Sequence, residues 1–241
     1  YKRQVLGCAG MFLAFRYEAK EGMDTMPSLV AVLDTNFWLA THVTSVTTGY
    51  AAGMLSGAIA HVFIIGMALN AAGITHIGRP FFRTVSRMTY GVLCFGLLFA
   101  TVGTILGGVW ANDSWGRFWG WDPKENGALM IVQWALVVLH ARMGLYIREL
   151  GTAAGAVILS AIVAFSWWGV NNLGVGLHSY GFTSGLWMWL GIFWAFECLM
   201  LLLAFGVHLH ERRNAGNPEA PTQAPEPPKP GKKGKLKPAR A

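Results

Sequence analysis

Charge is the first thing this chain is short of. Asp, Glu, Lys and Arg make up 13% of its 241 residues, while 54% are apolar. An average soluble domain carries about 25% charged residues. With so little polar side chain and a mean hydropathy of +0.41, the chain does not read as one water-soluble core. Cysteine is scarce too. Cys8, Cys94 and Cys198 stand far apart, and no C-x-x-C occurs, which argues against a dithiol redox centre and a structural zinc site. The histidines form no H-E-x-x-H pattern, which argues against a free catalytic metal. Lys and Arg outnumber Asp and Glu, 19 to 12. The lysines are not interleaved with aromatics, so no nucleic-acid partner is expected. No soluble domain boundary and no short-period repeat is visible.

What is present is a series of apolar runs. A helix needs about 20 apolar residues to cross ~30 Å of hydrocarbon. Five runs meet that length: about Val43 to Ala72, Met88 to Trp110, Gly127 to Tyr146, Thr152 to Trp168 and Leu186 to His208. A shorter one, Val5 to Phe15, gives only about 16 Å of helix and lacks the flanks of a signal peptide. The sequence thus predicts an all-α integral membrane protein with about five full transmembrane helices, a partial N-terminal apolar segment and an external aromatic loop. Residues 1–42 form the partial segment and an external acidic loop with Glu18, Glu21, Asp24 and Asp34. Residues 43–208 form the polytopic domain, with the aromatic loop at 111–126. Residues 209–241 are Pro- and Lys-rich with almost no apolar side chains, and read as a disordered basic tail. The chain opens on Tyr1 rather than Met, so further residues are expected ahead of it.

The aromatic loop is Trp115-Gly116-Arg117-Phe118-Trp119-Gly120-Trp121-Asp122-Pro123-Lys124-Glu125. It is too polar to cross a bilayer and too aromatic for an ordinary linker. Tryptophan gathers where one edge of the ring is apolar and the other wet. Three within seven residues suit a platform for a large, flat apolar ligand; an interfacial aromatic belt is the plainer use of the same residues. Asp122, Pro123 and Glu125 have the spacing of a helix start: N-cap, first position and the acidic partner three residues on.

Alternating spans put the loop with Arg79, Arg83 and Arg87, the turn with Arg142 and Arg148, and the basic tail on one side. The acidic loop, the aromatic stretch and the loop carrying His178 share the other, where only Lys20, Arg117 and Lys124 are basic. Positive residues favour the cytoplasm. The tail is therefore expected inside, and His42, the aromatic loop and His178 outside.

Imidazole is a common axial ligand to haem iron. His42 and His178 flank the aromatic stretch on the same expected face, and could close on the metal of a flat macrocycle. Either one alone is as readily a surface histidine. His140 lies deep in the third span, in register with Asn126 and Gln133, seven residues apart, on one drifting polar stripe. An ionisable residue inside a span is a functional candidate, and a helix–helix hydrogen bond is its plainer role. His61 in the first span has a similar claim without such a stripe. His76, His208 and His210 fall at the cytoplasmic edge. Glu197 stands in the fifth span with no partner the sequence can name. Trp167, Trp168, Trp187 and Trp189 sit at outer helix ends, as belt residues or as further walls of the platform.

Trp115-Gly-x-Phe-Trp-Gly-Trp-Asp-Pro-Lys-Glu125 resembles the tryptophan-rich WWD motif of the haem-handling proteins of cytochrome c maturation. Asp34-Thr-Asn-Phe-Trp-x-x-x-His42 and Gly176-Leu-His178-Ser-Tyr-Gly181 resemble the segments that bear the two external histidines of that superfamily. Leu139-His140-Ala-Arg142 resembles its transmembrane histidine segment. The order points to the CcsA (ResC) family of the System II pathway, over roughly Asp34 to His208. The resemblance implies haem b held at the outer, periplasmic face of the inner membrane, with His42 and His178 as axial ligands. Trp115, Gly116, Phe118, Trp119, Trp121 and Asp122 would lie against the macrocycle, and His140 would belong to an inner haem site. It also implies a CcsB (ResB)-like membrane partner, an apocytochrome c with a C-x-x-C-H site, and thiol-reducing proteins. Such a chain would be a component of a cytochrome c synthase complex. The family usually has more helices ahead of the Asp34 segment. Two other readings stay open: a small-solute transporter lined by the Asn126–Gln133–His140 stripe, and a structural membrane subunit anchored by its aromatic belt.

Overall fold

The computed structural model describes residues 2–21, 36–178 and 184–215. Within them, α1 (Lys2–Glu21) comes first. The short α2 (Asn36–Trp38) leads through a π-helical turn, Leu39–Val43, into α3 (Thr44–Ala71). Then come α4 (Arg79–Trp115), α5 (Pro123–Met143) and α6 (Glu149–Ala164). A second π-helical turn, Phe165–Gly169, and a 3-10 turn, Val170–Leu173, follow α6, and α7 (Leu186–Ala215) closes the series. Most of the acidic loop and of the basic tail lies outside the described residues.

The five expected spans are present. The segments Ala40–Ala71, Arg79–Trp115, Pro123–Met143, Glu149–Leu173 and Leu186–Asn214 are long and apolar enough to cross a membrane. Their ends differ from the hydropathy reading, most of all in α4. It begins at Arg79 and runs on to Trp115, because Pro80 fits its first turn and only Gly116, at φ +70°, stops it. Its 37 residues make a rod about 55 Å long, well beyond the hydrocarbon layer. Trp115, the first residue of the aromatic stretch, is therefore the end of a rigid helix rather than part of a flexible loop. In α1, Met11, Phe12, Leu13 and Phe15 are exposed. Helix α7 continues to Ala215, past the point where composition places the start of the tail.

In a bilayer, helices gain little by hiding apolar surface from one another, so close packing must hold them. Glycines supply it here. A Cβ on Gly49 would lie 2.5 Å from the backbone nitrogen of Ala100, and one on Gly103 2.6 Å from that of Val46. Helices α3 and α4 thus meet backbone to backbone. Gly53 and Gly57, one and two turns further along α3, receive Val163 and Ser160 of α6. Helix α6 is the most enclosed span and is rich in Ala and Gly at its buried positions. Helix α5 locks to α6 by a hydrogen bond from Trp134 Nε1 to the Gly155 carbonyl, 2.9 Å, and to the π-helical turn after it by one from Ser166 Oγ to the Gly127 carbonyl, 2.8 Å. Phe63, Ile64, Leu93, Ile131, Val157 and Leu159 fill the space between the helices.

Glu197, unpaired in the sequence reading, is buried among α3, α6 and α7. Its Oε2 lies 2.8 Å from Nε2 of His61, and its Oε1 accepts from Ser160 Oγ at 2.8 Å. A carboxyl in this setting is costly unless paired and hydrogen-bonded. One histidine and one hydroxyl meet that need, and they tie three helices together.

If α3 and α4 touch through their backbones, Gly103→Val forces them apart and costs about 1–3 kcal/mol. The detergent-solubilised variant should melt several degrees below wild type. Gly91→Ala, whose new methyl would meet nothing within 4 Å, should melt with the wild type. Equal melting of the Gly103→Val protein would refute the contact.

Candidate functional site

At the end of the bundle where α4 stops and α5 starts lies a cavity of about 440 Å³. His42, Trp110, Trp119, Lys124, Trp167, Trp168 and His178 all line it. Each reaches it for a local reason. His42 sits on the first π-helical turn and Trp167 and Trp168 on the second. Such wide turns re-aim side chains and recur at functional sites. Gly107 leaves room for the His42 ring, since a Cβ there would fall 2.6 Å from its Cε1. Gly108 does the same for Phe118, which folds back onto α4.

The ring nitrogens are arranged alike. Nδ1 of His42 donates to the carbonyl oxygen of Gly103 at 2.7 Å. A carbonyl only accepts, so the proton is on Nδ1 and the lone pair on Nε2. Nδ1 of His178 lies 3.2 Å from Oδ1 of Asp122. It is buried and has no well-aligned hydrogen bond among the described residues. In both rings a protein oxygen faces Nδ1, which leaves Nε2 for a ligand. This is how metal-binding histidines are commonly oriented. Trp110 and Trp115 stand between the two histidines. Successive ring centroids from His42 through Trp110 and Trp115 to His178 are 5.8, 5.7 and 5.1 Å apart.

Asp122 organises the rest. Oδ1 accepts from the Lys124 amide at 3.0 Å, while Glu125 Oε2 accepts from the amides of Asp122 and Gly120 at 3.0 and 2.8 Å. This is the capping box read from the sequence. The other oxygen, Oδ2, accepts from the Leu177 amide. One buried carboxylate therefore starts α5 and tethers the segment that carries His178. Gly176 allows the approach: it has φ +86°, and a Cβ there would run into Asp122.

The residues of the aromatic motif divide. Trp119 lines the cavity, and Trp115 supports His178 from the side. Gly116 is the left-handed end of α4. Phe118 is half-exposed against Gly108, and Asp122 is a clamp. Trp121 points away, 70% exposed, on a left-handed backbone at φ 58°, held by Asn126 Nδ2 donating to its carbonyl at 3.0 Å. His140 is elsewhere. It lies on an exposed face of α5 with Nδ1 donating to the Leu136 carbonyl at 2.8 Å, about 25 Å along the helix from Pro123. Gln133 is exposed as well. The Asn126–Gln133–His140 stripe thus ends on the outside of this bundle rather than lining a path through it.

Trp110 and Lys124 are among the lining residues that sequence reasoning missed. Trp110 is buried, and its Nε1 has no hydrogen-bond partner among the described residues. Lys124 Nζ donates to the Trp167 carbonyl at 2.6 Å and brings a cation to a mostly apolar wall. The signals for Lys124 were its place in the aromatic motif and in the first turn of a membrane helix.

A multi-pass membrane protein with two histidines presented at one end of a tryptophan-walled cavity is the class these features define. A family model described as cytochrome C assembly protein matches residues 4–183. The chain is 32% identical over 176 residues to the cytochrome c biogenesis protein CcsA of Chlamydomonas reinhardtii, covering 73% of this chain and 49% of that one. It is 31% identical over 207 residues to CcsA of Parasynechococcus marenigrum (strain WH8102), covering 75% and 66%. It is 43% identical over 97 residues to CcsA of Atropa belladonna, covering 40% and 31%. The chain belongs to the CcsA family of cytochrome c biogenesis. It spans about half the length of the Chlamydomonas relative.

Asp122→Ala and Asp122→Asn separate the two duties of the clamp. Asn still caps a helix, whereas Ala loses about 1 kcal/mol. The Ala variant should melt lower than the Asn variant. Both should loosen His178, read as broadening of its ring resonances in a histidine-labelled sample. A His178 signal unchanged in both variants would show that Asp122 does not position that ring.

Proposed function

We propose that this chain holds haem at the end of the bundle bearing His42 and His178 and presents it for covalent attachment to apocytochrome c. The observation that carries this reading is the matched pair of imidazoles. Both line one cavity, both have Nδ1 facing a protein oxygen, and neither Nε2 has a partner among the described residues. Two such nitrogens suit the two axial positions of a haem iron. The walls suit a flat aromatic ligand, with Trp119, Trp167 and Trp168 offering ring faces and edges. Lys124 and the unpartnered Nε1 of Trp110 are donors for the carboxylates that such a ligand carries at its rim.

On this reading the two histidines shield the iron while its vinyl edge is left for the substrate. Each thiol of a C-x-x-C-H site adds its S–H across a vinyl double bond, so a thioether forms with no net gain or loss of electrons. Haem is the cargo in this step, and the iron must be ferrous and the thiols reduced, which assigns a role to thiol-reducing partners. The histidine of the C-x-x-C-H site replaces His42 or His178, and the product leaves. His140 belongs to an inner site, used as haem crosses the membrane from the cytoplasm. A CcsB-like membrane protein is the expected companion in the synthase complex. The His42 and His178 end faces the periplasm, and the basic end faces the cytoplasm.

An absorption spectrum of the purified protein, before and after dithionite, tests the reading. Wild type should show a Soret band and sharp reduced α and β bands of six-coordinate, low-spin haem. The His42→Ala, His178→Ala double variant should lose these bands or turn high-spin, and imidazole should restore them in part. A Trp119→Ala variant should retain about tenfold less haem, the loss of roughly one stacking contact. A double variant with the wild-type spectrum would sink the proposal.

A further inference from the structure

At the opposite end of the bundle a second cavity, of about 520 Å³, opens among α4, α5 and α6. Arg83, Ser86, Arg87 and Tyr90 line it from α4, at the i, i+3, i+4 and i+7 spacing of one helix face. Arg142 and Met143 line it from the end of α5, and Glu149 from the start of α6. Three guanidinium groups therefore border one space with one carboxylate. Among the described residues none of the three arginines has a carboxylate within 4.0 Å, and the ion pairs at that distance are His61–Glu197 and His178–Asp122. Arg83 and Arg87 are like charges one turn apart, an arrangement that weakens a helix unless an anion offsets it. Glu149 occupies the first turn of α6, where a carboxylate already answers the helix dipole.

We infer that this cavity binds the phosphate head of an anionic phospholipid. Arginine grips phosphate through paired N–H donors, and Ser86 and Tyr90 add hydroxyls to the same wall. Basic pockets between membrane helices at the water interface are typical sites for anionic lipid heads. Adjoining apolar surface favours a lipid over a free ion. Continuing along α4 from Arg87, Phe95 and Leu98, eight and eleven residues on, are exposed, at 48% and 58%, and give acyl chains a strip to lie on. The charge excess is also what selects an anionic lipid over a zwitterionic one. This inference makes no use of the histidine cavity.

The test uses the full chain in detergent, with phosphatidylglycerol, phosphatidylcholine or inorganic phosphate as probe. Native mass spectrometry reads bound lipid, and thermal melting reads stabilisation. Phosphatidylglycerol should stay bound and raise Tm, and phosphatidylcholine should do neither. Arg83→Gln, Arg87→Gln and Arg142→Gln together should weaken phosphatidylglycerol on the order of a hundredfold, the loss of three charge contacts. Glu149→Gln removes the opposing charge and should tighten it, which keeps the test decisive if the triple variant fails to fold. Equal retention of the two lipids by wild type, or no tightening in Glu149→Gln, overturns the inference. So does inorganic phosphate that raises Tm as much as phosphatidylglycerol, since the site would then take a free anion.

Discussion

The meeting of α3 and α4 along their glycines is the contact on which the rest depends. Gly49 against Ala100 and Gly103 against Val46 bring two backbones together, closer than any side chain would permit. The same spacing continues one turn further, where Gly107 makes way for His42 and the Gly103 carbonyl receives its Nδ1 proton. The orientation of a ligand-ready imidazole is thus inherited from helix packing. One and two turns further along, α3 receives α6 at Gly53 and Gly57, and α6 in turn leads into the π-helical turn with Trp167 and Trp168. The cavity is what remains where these helices end.

His178 is held differently. It comes from a segment between helices, and its position depends on the carboxylate of Asp122 rather than on a helix face. That carboxylate also caps α5, so helix start and ring orientation are fixed by the same group. The two histidines consequently differ in stiffness: His42 is fixed by rigid helices, His178 by a tether. If the cavity presents haem to another protein's histidine, as proposed, the tethered ring is the one suited to yield.

Much of this was legible in the residues. The five apolar runs became five spans, because length and hydropathy decide membrane helices almost alone. The capping box at Asp122 and Glu125 was legible because it is local chemistry at fixed spacing. What could not be read was which helix faces which. Glu197 looked unpartnered because His61 and Ser160 come from other helices. Trp110 looked like the end of a span because nothing in one sequence marks α4 as running on to Trp115. The aromatic motif read as one surface, yet Trp119 lines the cavity while Trp121, on a left-handed backbone, is exposed. The arginines read as a sidedness signal, and only the fold showed three of them sharing one space.

The buried Glu197 also bears on how the chain is made. A lone carboxyl at the centre of a membrane helix costs about 2.5–3.5 kcal/mol to insert. His61 and Ser160 both precede it in the chain, on α3 and α6. Synthesis runs from the N-terminus, so both partners are already in the membrane when α7 leaves the ribosome. Helix α7 enters a bundle that already offers its carboxyl a hydroxyl and an imidazole. The order of the helices along the gene is therefore also a workable order of assembly.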